Sequence, residues 1–422
     1  MHIDGDSFFA ACEVAKNPLL RGKVVITGSE RGIVSACTYE GKARGVKRGM
    51  RMFEVRKLCP DAIILPSDYE TYSLYSRRMY DIVRRFTPSV EEYSIDECFA
   101  EITGLRRLHH RSYADIAKKI KHELCSELGI TFSVGLSVTK TLAKIGSKWH
   151  KPNGLTVIPL RDVQKFLTQT KTEAVWGIGA NTSAHLARYG ITTALQFIQK
   201  DEEWISKRFT KPTQETWKEL RGEIVYELDT VGKQSYTSIQ KTKTFTPPSK
   251  DSRYIYSQLS KNIENACIKA RRWNLTTRKV HFFLKTQDFR FHGIELTLPY
   301  DTNIPQDILR EVERVFMRVW KKGVEYRATG VTLLSLEEQV CSQLDLFGVV
   351  DESIKMREAF RSVDQVSQKY GKHTLYLASS ALARQARTHE GERGDAPERT
   401  KKLFKGESAR KRLSLPMLGE VV

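Results

Sequence analysis

The sequence predicts a multidomain α+β chain: alternating strands and helices, then a helical middle, then a compact βαββαβ domain and a basic tail. Three observations carry this. The length, 422 residues, suits roughly three domains. The apolar content is 40%, enough for folded cores, while no apolar run approaches the roughly 18 residues of a membrane span. The hydrophobic period also switches repeatedly between two and about 3.6 residues along the chain.

The elements follow in order. Residues 1–5 form a short strand, and DSFFAACEVAK is a helix with Asp6 as its N-cap. KVVITG and GIVSACTY are strands, and helices near 40–47 and 52–58 follow, the second stopping before Pro60. A long helix covers 68–86, then the strand region EEYSIDECFAEI, a helix at 113–128, the strand ITFSVGLSV and a helix at 139–149. Residues 160–232 are helical, and a polar, basic, proline-containing stretch at 233–251 leads into the next domain. There, strands near 236–245, 278–288, 290–298 and 326–336 enclose helices at 252–272 and 305–322, the order of the ferredoxin-like split motif. Beyond Glu338 the pattern gives a helix in RSVDQVSQKY and a strand in HTLYLAS. Residues 384–411 are charged and poor in aromatics, as flexible segments are, and no internal repeat is present.

The formal charge is +19. From Arg384 onward ten Lys/Arg face six Asp/Glu, so residues 1–383 keep +15 and the folded body itself is basic. Such a surplus favours a polyanion such as nucleic acid or a membrane surface or, failing that, is a means to solubility. The seven cysteines are scattered, odd in number and without C-x-x-C, which excludes a disulfide framework and structural zinc. The start MHIDGDSFF is neither a signal nor a transit peptide, so the expected location is the cytoplasm, with no membrane partner.

EEYSIDECF at 91–99 raises the chemical question, because Asp96 and Glu97 sit among apolar neighbours. Buried acids need a counter-charge. Adjacent strand residues face opposite ways, so two acids serving one site require a turn or bulge there; the plain reading is an edge strand with two solvated acids. Asp4, at a second strand end, supplies a third carboxylate. Mg²⁺ uses one or two protein carboxylates and completes its shell with phosphate and water, and a pair of such ions supports phosphoryl displacement. The charge opposite Asp96 and Glu97 would then be metal and phosphate, not lysine.

HIDGDSFFAACE, GIVSACTYEGKARGVKRGM, YSIDECF and VGLSVTKTLAKIGSKWHKPNG, in this order, resemble the motifs of the Y-family (translesion) DNA polymerases over about residues 1–380. The resemblance implies a right-handed polymerase: palm (1–9 and 68–160), fingers (10–67), a helical thumb (161–232), a little finger (235–337) and a C-terminal extension (338–422). It implies two Mg²⁺ ions on Asp4, Asp96, Glu97 and the Gly5 carbonyl, with primer–template DNA and dNTP as substrates. Phe9 matches the steric gate against a ribose 2′-hydroxyl, and its neighbour Phe8, grouped with it among the nucleotide-binding residues, reads as the packed ring of the pair. Ser35 and Ala36 would roof the base pair. Tyr39 and Lys151 match triphosphate contacts. Lys42 stands where the family has arginine, and Arg44 is an alternative for that role.

Lys140, Lys144 and Lys148 form one helical stripe, read either as a solvated face or as phosphate contacts. WGIG at 176–179 followed by YGI reads as a helix–hairpin–helix whose Gly177 and Gly179 expose backbone amides to phosphate. Lys269, Arg271, Arg272, Arg278 and Lys279 suit duplex backbone contact. Gln343, Leu344, Leu346 and Phe347 of QLDLF resemble a sliding-clamp-binding peptide. The tail resembles that of the polymerase V catalytic subunit, which would imply accessory subunits, whereas the start resembles polymerase IV. The first strand begins abruptly at Met1, where the family has a few residues more. A nucleotidyl cyclase or a clamp-recruited scaffold without catalysis are the rival readings; the first leaves the basic body unexplained and the second leaves the acid trio unexplained.

Overall fold

The computed structural model describes residues 1–232, 235–338, 349–370 and 374–385. They belong to two compact units, one within 1–232 and the other within 233–388.

The first unit is built on a five-stranded sheet in the order Val90–Ser94, Glu97–Ala100, His2–Gly5, Phe132–Ser137, Leu155–Ile158. Its middle strand is HIDG, with every residue buried. One face is covered by the helices Tyr69–Arg84 and Tyr113–Leu128, whose Tyr72, Met79, Ile116 and Ile120 share a core with Ile3, Phe132 and Val134. The helix Lys140–Trp149 lies on the sheet's other side. It comes close because Gly135 carries no side chain: a Cβ there would stand 1.9 Å from the Ala143 carbonyl oxygen. Residues 10–67 hold a separate small sheet, Ala36–Cys37, Val25–Thr27, Ile63–Leu65, with its own core around Val24, Ile26 and Val55. Between 161 and 220 five short helices pack around Leu167, Leu186, Phe197 and Trp217.

The second unit has the expected element order. The strands are Ile239–Ser249, Leu275–Thr286, Phe291–Thr302 and Tyr326–Leu334, and the helices are Ser252–Arg272 and Pro305–Val319. Each helix joins two parallel strands with an antiparallel strand between them. The strand order corrects the ferredoxin-like expectation, however. It runs first–fourth–second–third, so the second and fourth strands are central, where the ferredoxin-like order places the first and third. Proline explains it. The first strand contains Pro247 and Pro248 and the third Pro299, and a residue without an N–H is tolerated at a sheet edge. The central strand KVHFFLK instead buries Val280, Phe282 and Leu284.

The helix Val349–Tyr370 is fastened to this unit by Arg271, which donates to both Asp364 oxygens at 2.7 and 2.9 Å. The strand expected in HTLYLAS is absent from its described part, 374–379. The Leu377 N–H donates to buried Glu264 at 2.5 Å, and short helical turns follow over Ala378–Ser380 and Ala381–Gln385. The backbone is satisfied by a carboxylate rather than by a neighbouring strand. No helix among the described residues is long and apolar enough to cross a membrane.

Candidate active site

The three acids collect at one end of the five-stranded sheet. Asp4 and Glu97 are cross-strand partners. Ile95 and Asp96 form the two-residue turn of the hairpin, between the paired residues Ser94 and Glu97, and the Asp96 carbonyl accepts the Gly5 N–H at 2.8 Å. The turn resolves the geometric problem of adjacent acids on one strand. Gly5 also gives room to Phe8, whose ring a Cβ there would meet at 2.6 Å.

Each acid has a partner within the chain, and the charge opposite Glu97 is a lysine, which corrects the expectation that no lysine would face it. Lys151 binds Asp4, Lys144 binds Glu97 at 2.9 Å, and Ser94 donates to Asp96 at 2.5 Å. Burial, opposed by Lys151 and aided by Glu97, raises the Asp4 carboxyl from 3.8 to about 7. His2 lies beneath, fully buried, with Nδ1 2.7 Å from Ser147 Oγ and Nε2 3.9 Å from Glu97. Burial and then Lys144 hold its imidazole well below the usual range, so it is neutral. Among the described residues no three ligating groups form a ready metal cluster, and Asp96 accepts from Ser94. Two facing carboxylates, one held up by burial, with a third on the adjoining turn, nevertheless fit a hard divalent cation, which needs only one or two of them.

Beside the acids lies a cationic half. Lys42 sits 4.1 Å from the Tyr39 ring centroid, and burial and then the Lys151 charge pull its ammonium down. Burial and the Asp6 and Asp4 carboxylates push the Tyr39 hydroxyl up. Tyr39, Lys42, Lys151 and Asp4 are therefore neighbours, though they come from three separate segments. The Lys42 ammonium, weakened by burial and by its neighbour Lys151 and set next to carboxylates, makes a place for phosphate beside a metal. Arg44 does not join them: both Asp61 oxygens hold its guanidinium, at 2.7 and 2.8 Å.

Asp6 is not the helix cap. Ser7 occupies that position, and buried Asp6 accepts from Ser133 at 2.8 Å and from the Asn153 N–H at 2.7 Å. It ties the KPNG loop, and with it Lys151, to the end of the first strand. Phe8 is 3% exposed in the core, which removes it from the nucleotide-contacting set. Phe9 stacks on Tyr72 at 4.6 Å and 14°, and the Tyr72 hydroxyl is anchored on Glu13 at 2.7 Å. Ser35 and Ala36 are half-buried beside Thr27.

The lysine stripe divides: Lys140 and Lys144 are neither solvated nor free for phosphate, while Lys148 is exposed. Lys140 pairs with Glu91 and donates to the Glu227 carbonyl at 2.5 Å. Lys144, 6% exposed, also lies 4.4 Å from the Tyr93 ring and 5.3 Å from Trp176. His2 and Tyr72 are residues that sequence reasoning missed, and Lys144 and Asp6 ones to which it gave other roles, because all four act through long-range contacts. Gly177 takes φ +90°. Gly179 opens the helix Ala180–Ala187 with no side chain capping it, and open space lies where a Cβ would stand. The basic group of the second unit divides. Arg271 is consumed by Asp364 and the Asn303 carbonyl, which corrects its assignment to DNA. Lys269 lies over Tyr236 at 4.1 Å and Arg278 donates to the Leu298 carbonyl at 3.1 Å, while Arg272 and Lys279 are exposed. Gln343, Leu344, Leu346 and Phe347 lie outside the described residues.

Comparisons agree with this layout. Residues 3–148 match the model of the impB/mucB/samB family and residues 236–346 that of its C-terminal domain. A DNA polymerase IV of Moorella thermoacetica is 33% identical over 382 residues, 89% of this chain and 94% of that protein. DNA polymerase IV 1 of Bacillus subtilis is 29% identical over 401 residues, covering 92% and 94%. Among solved structures, a Dbh–Dpo4 chimaera described as a Y-family DNA polymerase is similar, with TM-score 0.66, 24% identity and coverage of 80% of this chain and 99% of that one. A Dbh ternary complex gives TM-score 0.54 at 23% identity, covering 80% and 99%. With matched family models at both ends, polymerase IV relatives along nearly its whole length and an acid-bearing sheet where nucleotide chemistry needs it, this chain belongs to the impB/mucB/samB family, the Y-family translesion DNA polymerases.

Proposed function

We propose that the chain extends a primer by template-directed, low-fidelity addition of dNTPs, at a site formed by Asp4, Asp96 and Glu97 with two Mg²⁺ ions. The supporting observation is the juxtaposition of a carboxylate half, Asp4 and Glu97, with an ammonium half, Lys42 and Lys151. A dNTP–Mg²⁺ complex carries both complementary charges. Bound metal would lower the pKa of the primer 3′-hydroxyl and stabilise charge on the phosphoryl oxygens. The chain's own groups do the remainder. Asp4, Glu97 and Asp96 hold the cations, Lys151 and Lys42 orient the triphosphate, and Tyr39 flanks it. Phe9, braced on Tyr72, occupies the space a 2′-hydroxyl would need. Clamp recruitment through QLDLF and contact of the Gly179 turn with the DNA backbone belong to the same reading.

Primer extension with Mg²⁺, on an undamaged template and on one with an abasic site, tests it. Extension past the abasic site supports translesion synthesis. Binding of primer–template without incorporation would leave the scaffold reading instead.

A further inference from the structure

We propose that the hairpin tip of the second unit binds unpaired nucleobases by stacking them on Phe289 and Phe291. This rests on the polymerase reading and adds a ligand to it: single-stranded DNA, recognised through its bases.

The hairpin joins the strands Leu275–Thr286 and Phe291–Thr302, and its tip reads KTQDFRF. Phe289 and Phe291 are 59% and 60% exposed, on a surface where large rings are ordinarily covered. The tip is not loose. Thr286 donates its N–H to the Arg290 carbonyl at 2.9 Å, and Phe289 donates back to the Thr286 carbonyl at 3.1 Å. Phe289 adopts φ +68°, a conformation costly for a bulky side chain. The backbone thus holds the ring outward.

Behind it runs a row of alternating rings and cations. Phe283 meets Phe291 at 5.2 Å, and the Lys285 ammonium stands 4.6 Å from Phe291 and 4.8 Å from Phe289. Arg327 lies 4.3 Å from Phe289. Gly330 and Gly293 make room for Phe283, since a Cβ at either would come within 2.6 and 3.0 Å of it. The acids close by are Asp288, which Arg290 neutralises at 3.0 Å, Glu325, whose carbonyl accepts the Gln287 N–H and whose carboxylate pairs with Lys250 at 3.5 Å, and Glu295, opposite His281.

Rings spaced with cations are the arrangement that binds single strands: bases stack on the rings and phosphates meet the ammonium and guanidinium groups. A surface for duplex phosphate alone would have no use for the exposed rings. An apolar protein partner would not be served by the cations.

The experiment compares the full chain with the double variant Phe289→Leu/Phe291→Leu, which keeps apolar bulk and loses the stacking faces. Binding is measured to oligothymidylate and to an abasic oligomer of the same length and phosphate count. The double variant should lose about tenfold or more in affinity for oligothymidylate and less than about twofold for the abasic oligomer. Its extension of a short primer–template should be unchanged, which separates this idea from the polymerase reading. Equal losses on both oligomers would reduce the tip to a phosphate contact, and no loss on either would assign the rings to a protein partner; both overturn the proposal. As a check independent of folding, Phe291→Trp should bind as the wild type does. Its added indole emission should be quenched by oligothymidylate and not by the abasic oligomer, and absence of that difference also overturns it.

Discussion

The acid end of the first unit's sheet and the basic shoulder around Arg271 in the second unit are both dense in charge, and they are organised in opposite ways. At the sheet end the acids are buried or half-buried, and three of the four meet a lysine from a distant segment, Asp4 and Asp6 with Lys151 and Glu97 with Lys144, while Asp96 accepts from Ser94. Around Arg271 only one of five cations is largely withdrawn from solvent, fastened to Asp364, and the others are spread over rings, a carbonyl and open surface. Burial makes the difference. A desolvated charge without a partner costs several kcal/mol, so the fold must settle it, whereas an exposed pair contributes roughly 0–1 kcal/mol and leaves the neighbours unconstrained. Function follows the same division, with pre-set chemistry at the first place and adaptable contact at the second.

The largest expected effect breaks the first region at its centre. Asp96→Ala or Glu97→Ala should lower single-nucleotide incorporation by about three orders of magnitude or more while primer–template affinity changes less than about threefold. Rapid-quench incorporation beside fluorescence anisotropy checks both halves. Next, Lys144→Met keeps the stem and removes the charge, leaving Glu97 without its ion pair. In the metal-free protein this should cost about 3 kcal/mol of stability, and Mg²⁺ should restore part of it, as followed by thermal melting with and without the cation. Arg271→Met is the matched break in the second region and should cost about the same order, because Asp364 is left partly buried, with no effect of Mg²⁺. If Mg²⁺ rescued both variants alike, the contrast between the regions would fail.

Smaller effects sharpen the picture. Phe9→Ala should raise ribonucleotide incorporation relative to dNTP by at least about tenfold, read from paired kcat/KM values. The Asp4 carboxyl, raised from 3.8 to about 7, gives a pH dependence of definite sign. A carboxyl whose folded value is raised favours the fold when protonated, so this contribution is full below about 4 and is lost as pH rises through about 7. Mg²⁺ must displace that proton. The thermal stabilisation that Mg²⁺ gives should therefore grow from pH 6 to pH 8, and Asp4→Asn should flatten the trend.

The same contrast explains what could be read in the sequence. HIDGD and YSIDE were legible because acids in apolar strands need a counter-charge, whereas Lys151 of HKPNG was legible only through the family resemblance. A turn or bulge at Asp96 followed from geometry once both acids were given to one site, and the structure has the turn. The partners inside the chain were not legible. Lys144 lies four residues from Lys140 and Lys148 on a seemingly polar stripe, and only the close approach at Gly135 brings that stripe under the sheet. Asp6 has the local pattern of a cap, but its two acceptor contacts come from residues 133 and 153. The strand order of the second unit was written in Pro247, Pro248 and Pro299, whose place at sheet edges decides between two wirings that share one element order. The leucine-rich HTLYLAS has strand composition, and a single buried carboxylate, Glu264, redirects its backbone.

The most direct test of the two-metal site counts bound ions. Full-length protein would be assembled with a primer–template ending in a dideoxynucleotide, a matching dNTP and Mn²⁺ in place of Mg²⁺, and bound ions read by electron paramagnetic resonance. Two Mn²⁺ per chain should appear only with the dNTP present, and at least one should be lost in Asp96→Ala. Mn²⁺ binding that ignores the dNTP, or that survives in full when Asp4, Asp96 and Glu97 are replaced together, would contradict the site.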